Sequence, residues 1–144
     1  MRRVVLDTNI PASGAIALAG TLASVIDAWH SGEFRLITSQ SILLELERTF
    51  EKPYFRQRLT PEQCSRFTAL LQRRATFTQF TVQVQGVATH PEDDLIIATA
   101  VSARADYLVT GDTKFQDLGT YQGVAILSPR EFLEILAAEE LKKG

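Results

Sequence analysis

Ala105-Asp106-Tyr107-Leu108-Val109-Thr110-Gly111-Asp112 decides how this 144-residue chain is read. Its middle is a short continuous apolar run, closed by a glycine and an acid. A run without polar alternation suits a strand covered on both faces. The chain opens in the same way, with Val4-Val5-Leu6 running into Asp7. Working outward, five runs read as strands: residues 3–6, 34–38, 81–84, 107–110 and 124–127. Helical patterns lie between them. Leu18, Leu22, Val25, Ile26 and Trp29 form one apolar stripe, which makes Trp29 a core residue. Ile42, Leu43, Leu46 and Phe50 mark a second helix. Thr60-Pro61-Glu62-Gln63 has the form of a capping box with proline at the first helical position. Ser128-Pro129-Arg130-Glu131 repeats it before a last helix over 132–141.

Helix alternating with strand means crossover connections and a mostly parallel sheet. The expected class is α/β: a three-layer α/β/α sandwich around about five strands. Length predicts one domain, 1–144. Pro53-Tyr54-Phe55 interrupts the middle and starts a helical protrusion around 50–78 rather than a second domain.

Composition is that of an ordinary globular chain, 45% hydrophobic and 22% charged. A net charge of −2 argues against a general polyanion binder. The charge is uneven, however. Residues 48–74 carry seven bases against two acids, a local +5 that leaves −7 on the rest. Such a segment suits either a phosphate backbone or a solvated helical face. The single Cys64 excludes an intramolecular disulfide, fits a reducing compartment, and packs in a helix with Phe67 and Leu71. The uncharged stretch 8–26 is rich in alanine and broken by glycines and Pro11, too weakly apolar for a membrane span. Arg2-Arg3 precedes an apolar run that Asp7 ends almost at once, unlike a signal peptide. The expectation is a cytoplasmic protein with no membrane contact.

Four acids stand where such a sheet exposes them together: Asp7, Glu45, Asp94 and Asp112. Ligands bind beyond the carboxyl ends of strands in open parallel sheets, and Asp7 and Asp112 belong there by position. Thr8 and Asn9 follow Asp7 and are placed to hold its carboxylate. On the helix after Pro91, Asp94 shares a face with Ile97, Ala98, Val101 and Ala105. It therefore begins a buried stripe, where a charge needs a partner. That helix is apolar nearly all round, so its inward face is not sharply defined. Glu45 flanks the Ile42–Leu46 stripe, with Glu47 as a competing neighbour. Neither His30 nor His90 has a second histidine or cysteine at metal-ligand spacing, which argues against zinc. An all-oxygen cluster suits Mg²⁺ or Mn²⁺.

These residues carry a resemblance. Leu6-Asp7-Thr8-Asn9, Glu45 within Leu43-Leu44-Glu45-Leu46, Asp93-Asp94-Leu95-Ile96-Ile97-Ala98 and Thr110-Gly111-Asp112 resemble, in order and spacing, the motifs of the PIN-domain family. The similarity runs from residue 3 to about 136. Ile126-Leu127-Ser128-Pro129-Arg130-Glu131-Phe132-Leu133 resembles the branch described as toxins of toxin–antitoxin pairs, the VapC-like ribonucleases. The resemblance implies an endoribonuclease using one or two Mg²⁺ or Mn²⁺ ions, with Asp7, Glu45, Asp94 and Asp112 as the carboxylate quartet. It also implies a homodimer, a cognate antitoxin and a supporting hydroxyl at Thr110. Arg48 and Lys52 become candidate substrate contacts. Many members carry a further acid where this chain has Lys114. Asp117 is the candidate replacement, or Lys114 itself contacts the scissile phosphate. Asp93, beside Asp94, leaves a one-residue ambiguity.

Two other acid-clustering families fit poorly. A response-regulator receiver needs an acidic pair after strand one and an aspartate after strand three, where this chain has Gln83-Val84-Gln85. A haloacid-dehalogenase-type phosphatase needs a second aspartate where Asn9 stands. The stronger rival is a PIN-like scaffold that binds RNA or protein with little turnover.

Overall fold

Alternation along the strands sorts the interior into two cores. The computed structural model describes residues 1–143. In β1 (Arg3–Leu6), Val4 and Leu6 point to one face and Val5 to the other. Its neighbours repeat the division: Leu36 against Ile37 in β2 (Arg35–Thr38), and Val109 against Leu108 in β4 (Tyr107–Val109). Parallel register lines these residues up, Val5 with Ile37 on one side and with Leu108 on the other. The first core is closed by α1 (Asn9–Ile16), α2 (Thr21–His30), α3 (Gln40–Phe50), α4 (Pro53–Arg56), α5 (Pro61–Arg74) and α8 (Pro129–Lys143). The second is closed by α6 (Pro91–Ser102) and α7 (Thr113–Gln116). Helices on both faces of a mostly parallel sheet are the layered class read from the sequence.

The sheet has six strands among the described residues, in the order β3-β2-β1-β4-β6-β5, with β3 (Thr76–Phe77), β5 (Thr120–Tyr121) and β6 (Val124–Leu127) completing it. Only the β5–β6 pair is antiparallel. The strand expected over 81–84 does not form. The chain leaving α5 pairs with β2 at once, as the two-residue β3. The alternating segment after it is loop, and Val84 drops into the core beside α6. Leu18 also departs from its expected stripe. It lies in the link before α2 and is fully exposed, so α2 buries Val25, Ile26 and Trp29 without it.

Both capping boxes form. Thr60 Oγ1 accepts from the Gln63 N–H while Gln63 Oε1 accepts from the Thr60 N–H. Ser128 and Glu131 exchange the same pair of bonds at the start of α8, and these hold the Glu131 carboxyl below its usual range. Cys64 is half-buried against the first core, as its spacing predicts. No single helix among the described residues is long and apolar enough to cross a membrane.

Candidate active site

Strands β1 and β4 lie side by side, but the chain leaves them in opposite directions, toward β2 and toward β6. That divergence opens a crevice at their carboxyl ends. Because Leu6 pairs with Val109, the two residues that follow, Asp7 and Thr110, emerge together. The Asp7 N–H donates to the Val109 carbonyl at 2.9 Å. The buried Thr110 hydroxyl donates to Asp7 Oδ2 at 2.7 Å and accepts from the Asp112 N–H at 3.1 Å. One hydroxyl thus ties the ends of both strands together. Gln116 Nε2 holds the Thr110 carbonyl at 2.7 Å. Asp112 caps α7, its Oδ1 accepting from the Lys114 N–H at 2.9 Å.

A cleft of about 780 Å³ opens here, and five acids line it: Asp7, Glu45, Glu92, Asp93 and Asp112. They come from four separate elements or their flanks: the end of β1, α3, the first turn of α6, which supplies both Glu92 and Asp93, and the cap of α7. Ser39 starts α3 by accepting from the Ile42 N–H, which aims the following turn, with Glu45, at the cleft. Thr8, Asn9, Arg48 and His90 form part of its walls.

The acid pair on α6 corrects the periodicity argument. Asp94 is buried, 7% exposed, as its stripe requires. Its partner, however, is the preceding loop. Asp94 Oδ2 accepts from the Gly86 N–H at 2.9 Å, and Oδ1 from the Val87 and Ala88 N–H groups at 3.2 and 2.7 Å. It lines a second hollow, on the side of Phe80 and Val82, and does not line the acidic cleft. Asp93 takes the place in the cleft that the sequence reading gave to Asp94. One residue along a helix is a turn of about 100°, enough to move a carboxylate from the loop side to the cleft side.

The cleft is electrostatically loaded. Burial pushes the Asp93 carboxyl from an ordinary 3.8 to about 6, and the charges of Asp7 and Asp112 add to the rise while His90 offsets part of it. Burial likewise pushes Asp7 up, with Asp112 adding to it; the Thr110 hydroxyl and the N–H groups of Thr8 and Asn9 pull it back. Thr8 and Asn9 therefore support Asp7 through backbone, not through side chains.

The remaining candidates fall outside the cleft. Lys114 and Asp117 are exposed on α7 and just after it, and Lys52 is exposed at the start of α4. Glu47 lines a different hollow, beside Phe50 and Cys64. Part of the basic segment serves the fold: Arg74 donates to the Trp29 and His30 carbonyls that end α2, Arg58 lies 3.7 Å over the Tyr54 ring, and Arg56 bonds the Glu51 carbonyl. Only Arg48 of that segment reaches the cleft wall. His90 also reaches the cleft wall, a place that its metal-ligand spacing does not signal but its position just before an acid-rich first turn does.

As a donor set, Asp7, Glu45, Asp93 and Asp112 are hard oxygen ligands whose mutual repulsion a divalent cation would relieve. The chemistry fits Mg²⁺ or Mn²⁺. The side chains stand apart: among the described residues no three acidic, histidine or cysteine side chains form a group that holds an ion as they stand.

The family model described as PIN domain matches residues 3–114. Comparison with curated protein sequences gives no match. Among solved structures, the fold is similar to VapBC2 from Rickettsia felis bound to a DNA fragment from its promoter, at TM-score 0.61 and 16% identity over 88% of this chain and 98% of that one. It is similar to PAE2754 from Pyrobaculum aerophilum, at TM-score 0.64 and 18% identity over 95% and 90%. It is also similar to VapC20 from Mycobacterium tuberculosis, described as a Sarcin-Ricin loop cleaving toxin, at TM-score 0.60 and 14% identity over 83% and 97%.

Proposed function

The chain belongs to the PIN-domain family, and from that premise and the geometry of the cleft we propose that it is a metal-dependent endoribonuclease of the cytoplasm, the toxin of a toxin–antitoxin pair. One observation carries the reading: five carboxylates from four parts of the chain line a single cleft at the switch point of the sheet, where burial first, and then the charges of Asp7 and Asp112, raise Asp93. Such repulsion is costly unless a cation enters. Asp7, Glu45, Asp93 and Asp112 would hold Mg²⁺ or Mn²⁺, which when bound supplies an activated water and stabilises the leaving oxygen of a phosphodiester.

The protein's own residues do the positioning. Thr110 fixes the Asp7 carboxylate and the Asp112 backbone relative to one another. Arg48, on the wall, is placed to meet a phosphate, a contact that fixes register without reading bases. Exposed Leu44 and Leu95 edge the same cleft and offer apolar footing to a cognate antitoxin. A homodimer completes the proposal and is checked by sedimentation.

The test is cleavage of RNA with Mn²⁺ and with chelator, for wild type, Asp7→Asn and Asp93→Asn. Cleavage that needs Mn²⁺ and disappears in both variants supports the proposal; cleavage that persists in both removes the assignment. The wide spacing of the acids and Lys114 in place of a further acid favour a second reading, a binding scaffold of low turnover. It predicts RNA or partner binding by wild type with no Mn²⁺-dependent cleavage.

A further inference from the structure

Residues 48–74 carry seven bases against two acids, yet among the described residues the one salt bridge joins Arg2 to Glu139, outside that segment. No acid at contact distance neutralises any of the seven. The densest part is Lys52-Pro53-Tyr54-Phe55-Arg56-Gln57-Arg58, three bases and no acid. It is also firmly anchored. Phe55 is buried in the first core, edge-on to Phe50, and pins α4. Its neighbour Tyr54 is turned outward and is 53% exposed. Arg58 lies over the Tyr54 ring at 3.7 Å and donates to the Tyr54 carbonyl at 2.7 Å. The guanidinium is thus fixed in place, while its charge is exposed and has no acidic partner. The surface also continues a wall of the cleft. On α3, Ser41, Glu45 and Arg48 line the cleft at i, i+4 and i+7. Helical backbone runs on through Glu51. Lys52, at i+11, follows Arg48 by about one helical turn, roughly 5 Å along the axis.

We propose that Lys52, Tyr54 and Arg58 form a subsite for unpaired RNA outside the cleft, where Lys52 meets a phosphate and one base stacks on the Tyr54–Arg58 pair. The inference rests on the reading of RNA as substrate and needs no metal. A polyanion matches the unneutralised bases. A nucleobase brings the flat face that a tyrosine ring or a guanidinium plane takes up. An acidic protein segment would meet the charge and leave the stack unused, which favours RNA. Stacking accepts any base, so the subsite selects single strands over duplexes, whose bases already stack, and not one sequence over another.

The test measures fluorescence anisotropy of a labelled single-stranded oligouridylate in chelator, where the cation-free acidic cleft repels phosphate. Wild type is compared with Tyr54→Ala, Tyr54→Phe and Lys52→Ala. Tyr54→Ala is expected to bind about tenfold more weakly, the scale of losing one base stack. Tyr54→Phe keeps the ring and is expected to bind nearly as wild type. Lys52→Ala is expected to flatten the slope of log affinity against log salt by about 0.7, the share of one phosphate contact on a single strand; Tyr54→Ala should leave that slope unchanged. Equal affinity in wild type and Tyr54→Ala overturns the inference, and so does an equal loss on duplex RNA. Polyglutamate that displaces the RNA and is itself weakened by Tyr54→Ala also overturns it, making the surface a dock for acidic protein. Wild type that cleaves RNA but binds none in chelator overturns the inference while leaving the RNA reading intact. Wild type that neither binds nor cleaves RNA removes that reading and this inference with it.

Discussion

Asp93→Asn should make the metal-free protein more stable at neutral pH. The native carboxyl is held at about 6 instead of 3.8, so the fold binds its proton more tightly than the unfolded chain does. For an acid displaced in that direction, stability is highest with the group protonated and falls as pH rises from about 4 through about 6. A displacement of this size corresponds to about 3 kcal/mol at full weight. Asp93 is half-buried on a wet cleft wall, and solvent screening reduces this to about 1–2 kcal/mol. Asparagine has the same shape and no charge, so its gain appears as a Tm rise of about 3–6 °C at about pH 7.5 in chelator. At about pH 4 the wild-type carboxyl is largely protonated and the difference should shrink toward zero. Calorimetry at the two pH values measures this, and adding Mn²⁺ should reverse the order by stabilising wild type more. A variant no more stable than wild type at pH 7.5, or equally stabilised at pH 4, refutes the claim that burial and acidic neighbours make the Asp93 charge costly to the fold.

Three further outcomes follow from the same geometry. Asp94→Asn has only one acceptor oxygen for the three N–H groups of Gly86, Val87 and Ala88, and should cost about 2–4 kcal/mol in urea unfolding; a loss under about 0.5 kcal/mol would mean the clamp is weak. Thr110→Val deprives both Asp7 and the Asp112 N–H of a partner, and should cost about 2 kcal/mol and abolish Mn²⁺-dependent cleavage; retained cleavage would show that Asp7 is held without it. Asp117→Asn, at a residue that does not line the cleft, should cleave like wild type in a side-by-side RNA assay, and a large drop would restore Asp117 to the site.

The sheet was legible in the sequence because its central strands are buried on both faces and read as unbroken apolar runs. Position at a strand end was enough to place Asp7 and Asp112 in one cleft. The α6 acids were harder. Ile96, Ile97, Ala98, Thr99 and Ala100 are all buried, so periodicity could not say which side of the helix faced the crevice. The inference that a buried Asp94 needs a partner was sound, but backbone N–H groups of a loop are invisible to a search for charges. The 81–84 strand failed for a related reason. Alternation in Thr81-Val82-Gln83-Val84 reports β propensity, whereas pairing depends on where the chain re-enters the sheet, and it re-enters at Thr76. Leu18 was lost because Gly20, with φ +96°, starts α2 afresh.

The hydrogen bond from Thr110 to Asp7 joins residues 103 apart in sequence. No fragment ending before β4 can make it, and such a fragment leaves the inner edge of β1 unpaired. Long-range parallel pairing of this kind also forms slowly. Under the proposed function, a chain that has not yet reached β4, or one cut short before it, is harmless to the ribosome and message beside it. Nuclease activity then cannot begin until β4 and Thr110 have been made.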